Sequence, residues 1–208
     1  MQLAHRKELP TLSTPLSQLT QTELRHLFPI ILTPHNPAWN TWYQIEVARI
    51  KQYLEAASIS LNYITIHHIG STSIPTIWAK PTVDILLEIP KTLDMTTLKT
   101  VITANGYVCM HEDKEKEQIS FNCGYTPEGF AQKVFHLHLR YDGDNDELYF
   151  RDYMITHPHI AKQYEELKLS LWKLYEYNRD AYTDSKTPFI KKYTEAAKQE
   201  YKDRYSRT

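Results

Sequence analysis

The segment Thr82–Ile89 constrains the fold most, because it reads TVDILLEI, an almost unbroken run of β-branched and other apolar residues. Such a run is typical of a strand that is covered on both faces of a sheet. One residue of the run is acidic. Asp84 points to the face opposite Val83 and Ile85, and an ionised carboxylate buried there is costly unless a metal ion, a cationic side chain or water compensates it.

The remaining pattern predicts an α/β (α+β) protein with a mixed sheet flanked by helices and a helical C-terminal half. Strands are predicted at Asn62–Ile69, Tyr107–Met110, Ile119–Cys123 and Val134–Arg140, with turns at Glu112–Glu117 and Gly124–Gly129. Helices are predicted over Gln21–Phe28 after a capping box, from Asn36-Pro37, over Met95–Asn105, from His157-Pro158, and from Thr187-Pro188 to about Tyr201. Residues 1–34 are predicted to be a peripheral extension, and residues 35–208 a single domain.

Composition excludes several classes of function. The formal net charge of −1 provides no general attraction for nucleic acid or an anionic membrane. No apolar run is long enough to span a bilayer, and the first ten residues contain no apolar signal core. Cys109 and Cys123 do not form a CxxC pair, and we interpret them as small buried side chains in a reducing compartment. We therefore expect a cytoplasmic protein whose partner is a small molecule, with no membrane partner and no nucleic acid.

The turn that precedes the acidic strand is a candidate phosphate site. Gly70 directly follows a predicted strand and allows a tight turn, and Ser71, Thr72 and the following amides can cradle a phosphate. Lys80 can reach the same phosphate or neutralise Asp84, although a plain surface lysine fits equally well. A turn at the end of a strand is enough by itself to explain the Gly70-Ser71 pair. What favours a phosphate site is the short interval between this turn and Asp84.

Three histidines permit a metal site as a further interpretation. His136 and His138 share one face of a predicted strand, and His68 lies near the end of another. Asp84 with His136 or His138, and with His68 as a further candidate, would form a mixed nitrogen and oxygen site that suits zinc, manganese or iron better than magnesium. The alternatives stay open: His68 and His138 can be neutral, hydrogen-bonded histidines, and Asp84 can pair with an internal lysine or arginine.

The sequence resembles the GrpB family of the nucleotidyltransferase superfamily over residues from about 34 to 197. The blocks that carry the resemblance are His68–Pro75, Ala79–Ile85, Asn36–Trp39, Phe135–Leu139, Phe150–Tyr153, Tyr164–Lys168 and Ala181–Thr183, followed by Lys186, Phe189 and Ile190. Lys186 itself is interpreted as an exposed lysine at the start of the last helix, with a phosphate contact as the alternative.

The resemblance implies a nucleotidyltransferase-like sheet and a site with a Gly-Ser turn, two carboxylates two residues apart and a third on a neighbouring strand. Such carboxylates hold divalent metal ions that bridge nucleotide phosphates. Asp84 matches the first carboxylate, as the catalytic metal ligand, whereas Leu86 stands at the second position and His136 and His138 near the third. Metal-dependent (Mg, Mn or Zn) nucleotidyl or phosphoryl transfer to an unknown small molecule is therefore one hypothesis. A fold that binds a nucleotide or phosphometabolite without turnover is the second, and a structural or interaction protein the third.

Overall fold

The structure, a computed structural model, describes residues 14–205. Its helices are α1 (Gln21–Leu27), α2 (Ala38–Ala56), α3 (Met95–Ala104), α4 (Asp146–Thr156), α5 (Pro158–Tyr175) and α6 (Arg179–Tyr201). Its strands are β1 (Thr65–Ile69), β2 (Thr82–Ile89), β3 (Val108–Asp113), β4 (Gln118–Thr126) and β5 (Gly129–Tyr141), with short 3-10 turns at Leu16–Gln18 and Ser71–Ser73. The predicted order of elements and the mixed α/β class with a helical C-terminal half are confirmed.

The five strands form one sheet in the order β1-β2-β5-β4-β3. Strand β2 runs parallel to β5, while β1 with β2, β5 with β4, and β4 with β3 are antiparallel. The predicted buried strand β2 therefore lies inside the sheet, with a hydrogen-bonded neighbour on each side. This placement explains why the strand is apolar almost throughout.

The two faces of β2 have different surroundings. Val83, Ile85, Leu87 and Ile89 face the main hydrophobic core, where helices α2 and α3 cover the sheet. The opposite face carries Asp84, with Leu86 two residues along the strand. The C-terminal helices pack on that side, where Leu86 lies against Leu148 of α4 and Ile69 of β1. This layered arrangement places the acidic residue between the sheet and the helical half.

Local signals fixed most of the helix starts correctly. Thr20 caps α1 in the predicted capping box, in which its hydroxyl accepts from the Glu23 amide and the Glu23 carboxylate accepts from the Thr20 amide. The Asn36 side chain accepts from the amide of Ala38, the first residue of α2, at 3.0 Å. Each side chain satisfies a backbone donor that the first helical turn leaves free.

The predicted start of the last helix at Thr187-Pro188 is wrong. Helix α6 begins at Arg179, capped by the Asn178 side chain, and Pro188 lies inside it. A proline in a helix interior removes one hydrogen bond, but α6 still buries Tyr182 on one side of Pro188 and Thr194 on the other. Packing of this kind outweighs a single local penalty.

The strands of the β4–β5 hairpin extend further than predicted. Strand β4 continues past Cys123 through a bulge at Gly124, whose φ is +90° and where an added Cβ would lie 2.3 Å from the Lys133 carbonyl oxygen. A glycine is tolerated at such a bulge because it lacks a side chain. The extra length brings Tyr125 alongside β5. Strand β3 likewise continues to Asp113, into the segment predicted as a charged turn.

The predicted division at residue 34 remains a prediction, and residues 1–13 lie outside the described part of the chain. Within it, Ile30 and Leu32 are buried, and Thr33 forms a β-bridge with Ala79. The segment just before residue 34 is thus packed onto the rest of the protein. Over residues 14–205, no helix combines the length and the apolar character needed to cross a bilayer.

Candidate functional site

A cavity of about 250 Å³ lies where the sheet meets helices α5 and α6. It is lined by Ser71, Thr72, Lys80, Thr82, Asp84, His136, Lys168, Arg179, Tyr182, Thr183 and Lys186. Five residues predicted from the sequence, namely Ser71, Thr72, Lys80, Asp84 and His136, therefore meet at one place. The cavity is small, polar and rich in cationic side chains.

Gly70 lies directly against the Asp84 carboxylate. The antiparallel register of β1 and β2 pairs Ile69 with Asp84, so the chain turns at Gly70 beside the acid. Gly70 has a φ of +68°, and a Cβ built on it would lie 2.2 Å from Asp84 Oδ2. Both the backbone conformation and the lack of space favour glycine here. Gly70 itself lines a second, larger groove of about 480 Å³ between α4 and α6.

Asp84 ends a chain of hydrogen bonds that starts on helix α6. Arg179 Nη2 donates to the Tyr125 hydroxyl at 2.6 Å, which lies 2.9 Å from His136 Nε2, while His136 Nδ1 lies 3.1 Å from Asp84 Oδ1. Arginine can only donate, and among the described residues His136 is the only other group within hydrogen-bond distance of the Tyr125 hydroxyl, so the Tyr125 proton is directed to Nε2 and the imidazole proton is on Nδ1. This series of hydrogen bonds therefore assigns His136 the neutral tautomer that is protonated on Nδ1.

The protonation states follow from the same contacts. Burial raises the pKa of the Asp84 carboxyl, but the hydrogen bond from His136 and the close approach of His138 outweigh it and hold that pKa well below its usual range. Burial lowers the pKa of His136, although Asp84 opposes this effect. His138 Nε2 lies 3.7 Å from Asp84 Oδ1, and its Nδ1 lies 3.4 Å from Ser120 Oγ. Asp84 is thus an ionised carboxylate beside a neutral His136.

Four cationic side chains line the cavity: Lys80, Lys168, Arg179 and Lys186. Burial, with a smaller contribution from nearby positive charge, lowers the pKa of Lys80 to about 7, of Lys168 to about 7 and of Lys186 to about 8. Over residues 14–205, no carboxylate oxygen lies within 4.0 Å of any of these three ammonium groups. The cavity therefore holds an excess of positive charge for which the described residues provide no carboxylate partner within 4.0 Å.

Lys168 is the most enclosed of these cations, at 2% exposure. Its ammonium donates to the Trp78 carbonyl oxygen and lies 4.8 Å from the centre of the Tyr164 ring. Lys186 lies 4.4 Å from the Tyr182 ring centre. Aromatic rings attract ammonium groups weakly, so these contacts orient the lysines but do not neutralise them.

The structure places His68 on the Gly-Ser turn instead of on the Asp84 carboxylate. His68 Nε2 lies 3.0 Å from Thr72 Oγ1, whose proton goes to the Thr82 carbonyl oxygen at 3.2 Å, so the imidazole donates. The ring also stacks on Tyr43 with 4.8 Å between ring centres. Burial lowers the pKa of His68 to about 4. A neutral His68 therefore braces the turn.

The side chains around Asp84 do not fit a resident divalent metal ion. Both nitrogens of His136 are engaged, and Leu86 at the second carboxylate position is fully buried in apolar surroundings. Among the described residues, no group of three or more histidine, cysteine, aspartate or glutamate side chains is arranged to hold a metal ion. The cationic lining would also repel a dication. Asp84 and His136 are hydrogen-bonded to each other, and His138 lies beside them, 3.7 Å from Asp84 Oδ1.

Comparison with known proteins assigns the family. The family model described as GrpB protein matches residues 29–196. The chain belongs to the GrpB family. The UPF0157 protein YqkA of Bacillus subtilis is 31% identical over 185 residues, 86% of this chain and 51% of that protein. The UPF0157 protein PA4798 of Pseudomonas aeruginosa is 32% identical over 162 residues, 77% of this chain and 64% of that protein. The chain thus spans between about half and two thirds of the length of these two relatives.

A solved GrpB structure agrees with the family assignment. The crystal structure of conserved protein GrpB from Enterococcus faecalis superimposes with a TM-score of 0.69 and 28% identity, and the match covers 82% of this chain and 99% of that chain. A structure of the Cid1 poly (U) polymerase has a TM-score of 0.47 and 7% identity, over 73% of this chain and 46% of that one. The second likeness, at a TM-score below 0.5, carries no argument. The predicted GrpB membership is confirmed.

Sequence reasoning on this GrpB chain missed Tyr125, Lys168 and Arg179, and it interpreted Lys186 as exposed. A signal for Lys168 was present, because a lysine that falls on the apolar stripe of a helix is unusual and α5 buries it. Arg179, Tyr182 and Lys186 are spaced three and four residues apart, which aligns them on one helix face. The spacing places the three residues on one helix face only if the helix begins at Arg179, whereas the sequence predicted a start at Thr187-Pro188.

Proposed function

We propose that this GrpB-family chain binds a small phosphorylated molecule, a nucleotide or phosphometabolite, in the cavity beside Asp84 without turning it over. One observation carries the proposal: four cationic side chains from three parts of the chain converge on a cavity to which the described residues contribute a single carboxylate. Burying such charges without partners is costly, and an anionic ligand would remove most of that cost. A cytoplasmic location, where nucleotides and phosphometabolites are plentiful, is part of this proposal.

The uncharged groups of the cavity support a phosphate ligand as well. Ser71 and Thr183 contribute hydroxyl groups beside the cations, and hydroxyls donate readily to phosphate oxygens. Arg179 is planar and can donate two parallel hydrogen bonds to one phosphate. The Asp84 side chain is 26% exposed and can accept a hydrogen bond from a hydroxyl group on the ligand.

Binding without turnover is favoured over metal-dependent transfer because the metal-binding side chains are incomplete. Transfer of the kind that the family resemblance implies uses a pair of carboxylates to hold metal ions on the phosphates. Here Leu86 occupies the second position and is packed against Ile69 and Leu148. Nucleotidyl or phosphoryl transfer is therefore the alternative function, and conversion of a bound nucleotide would reveal it.

The proposal is tested by calorimetric titration of nucleotides and sugar phosphates into the purified chain. Lys186→Met removes one cavity charge, and Lys192→Met removes an exposed charge from the same helix, outside the cavity lining. We expect at least a tenfold loss of affinity for Lys186→Met and less than a twofold change for Lys192→Met. Equal affinities in the two variants, or the absence of binding by any phosphorylated compound, would refute the proposal.

The same samples decide between binding and turnover. Phosphorus NMR of each bound nucleotide, with and without magnesium, manganese or zinc, shows whether the ligand is converted. We expect the spectrum to remain that of the added nucleotide. Multiple turnovers that disappear in Asp84→Asn would replace the binding proposal with metal-dependent transfer.

A further inference from the structure

The charge in the cavity indicates how many phosphate groups it takes. Lys80, Lys168, Arg179 and Lys186 together with the Asp84 carboxylate leave an excess of three positive charges when all are ionised. His136 adds none, because its hydrogen bonds assign it the neutral form. A phosphomonoester carries a charge of about −1.5 to −2 at pH 7. A terminal diphosphate carries about one charge more, which matches the excess.

The positions of the cations also favour a ligand with two linked phosphate groups. Arg179 and Lys186 lie on one face of α6, seven residues apart, which corresponds to about 10 Å along the helix axis. Lys80 precedes β2, and Lys168 approaches from α5. Two linked phosphate groups can contact cations spread over such a length, whereas one phosphate reaches only part of them.

The residues that would hold a metal ion between phosphates are engaged elsewhere. Leu86 is fully buried between Ile69 and Leu148, and Asp84 is the one carboxylate that β2 contributes to the cavity lining. His136 Nδ1 is bound to Asp84, and its Nε2 is bound to Tyr125. The remaining charged groups that can contact phosphate oxygens are the lysines and Arg179.

From these observations we infer that the cavity binds a diphosphate group directly, with its lysines and Arg179 in the place that a divalent metal ion would take. The inference rests on the proposed function and narrows it to ligands with two linked phosphates. It also predicts that magnesium weakens the binding of the diphosphate, the opposite of the effect expected when a metal ion bridges ligand and protein. Magnesium bound to a diphosphate neutralises the charge that the lysines recognise, so it competes with the protein instead of assisting it.

The test is a set of calorimetric titrations at pH 7.5 in buffer with EDTA. Pyrophosphate is compared with inorganic phosphate, and a nucleoside diphosphate with the matching monophosphate. We expect the diphosphate member of each pair to bind at least tenfold more tightly. Addition of excess magnesium in place of EDTA is expected to weaken diphosphate binding at least threefold.

Three outcomes overturn the inference. Equal affinity for the monophosphate and diphosphate members would show that a single phosphate is recognised. Binding that requires magnesium, or becomes tighter with it, would show that a metal ion bridges ligand and protein, while the proposed binding of phosphorylated molecules would still stand. If no phosphate compound binds with or without magnesium, the proposed function fails together with the inference.

A variant pair tests the assignment to these side chains. Lys186→Met removes the cation at one end of the Arg179–Lys186 row, so the preference for pyrophosphate over phosphate is expected to fall at least fivefold. Lys192→Met on the exposed side of α6 is the matched control and is expected to keep the preference. Circular dichroism and thermal melting confirm that both variants fold. An unchanged preference in folded Lys186→Met would contradict the inference.

Discussion

The Asp84 carboxylate lies so close to the backbone of Gly70 that a Cβ atom at position 70 would stand 2.2 Å from Oδ2. The end of β1, the Gly-Ser turn and the acidic strand are therefore one unit, because the turn can approach the carboxylate only without a side chain. Any residue larger than glycine must move the turn, the carboxylate or both. This contact fixes where Asp84 stands relative to the cationic cavity.

Gly70→Ala is expected to destabilise the protein by about 2–4 kcal/mol. Alanine at a φ of +68° costs about 1–2 kcal/mol, and the overlap with Asp84 adds about 1–2 kcal/mol of overpacking. Gly143→Ala is the matched control, since Gly143 has a φ of +93° and nothing within 4 Å of the added Cβ. Urea unfolding is expected to show only the backbone cost in Gly143→Ala. Equal losses in the two variants would contradict the contact with Asp84.

Tyr125→Phe is expected to weaken anion binding about threefold to tenfold and to destabilise the protein by about 1–2 kcal/mol. The change removes a partner from both Arg179 and His136, and an unpaired buried polar group costs about this much. Tyr177→Phe, at a ring that stacks on His26 and is 44% exposed, is the control. Nitrogen NMR of the His136 ring is expected to show the Nδ1-protonated form in the wild type. The same tautomer mixture in wild type and Tyr125→Phe would show that the tyrosine does not set it.

Diphosphate affinity is expected to fall as pH rises from 7.5 to 9.5. The lysine pKa values of about 7, about 7 and about 8 mean that the free protein loses these charges over this range, and the ligand must restore them. Each lysine that gains a proton on binding costs up to about tenfold in affinity per pH unit above its pKa. A nucleoside diphosphate is the ligand for this test, because its terminal phosphate is already ionised above pH 7.5 and does not cause the change. Calorimetry in two buffers with different ionisation enthalpies is expected to show proton uptake; an affinity that is constant with pH would contradict protonation of the lysines.

The free energy of unfolding of the wild type is expected to rise between pH 7 and pH 10. Lys168 has a pKa of about 7 when folded and about 10.5 when unfolded, so the unfolded chain binds more protons than the folded chain in this range. Raising the pH therefore destabilises the unfolded chain relative to the folded one. Lys168→Met is expected to be more stable than the wild type at pH 7 without ligand, by about 1–3 kcal/mol, because no charge is then buried. Its stability is also expected to change less with pH.

Urea unfolding at pH 7 and pH 9.5 measures both effects. Lys173→Met, at an exposed lysine of the same helix, serves as the control and is expected to follow the wild type. A loss of stability at pH 7 in Lys168→Met, with an unchanged pH dependence, would show that the bond to the Trp78 carbonyl matters more than the buried charge.

Much of the fold could be predicted because its signals are local. The apolar run of β2, the capping box at Thr20 and the Asn36-Pro37 start of α2 each depend on residues that are neighbours in sequence. The exceptions are places where a local rule meets a larger packing gain. Pro188 lies inside α6 because both flanking segments bury side chains, and β4 passes Gly124 as a bulge because the glycine allows it.

By itself the sequence determined the buried acidic strand, the glycine turn before it and the family, since each resides in one short segment or in the order of such segments. Only the tertiary structure decided what surrounds Asp84. Lys168, Arg179 and Lys186 come from helices far along the chain, and the partners of His68 and His136 lie on other elements. Charge and hydrogen bonding act through space, so the nature of the site became visible only when the helices were packed against the sheet.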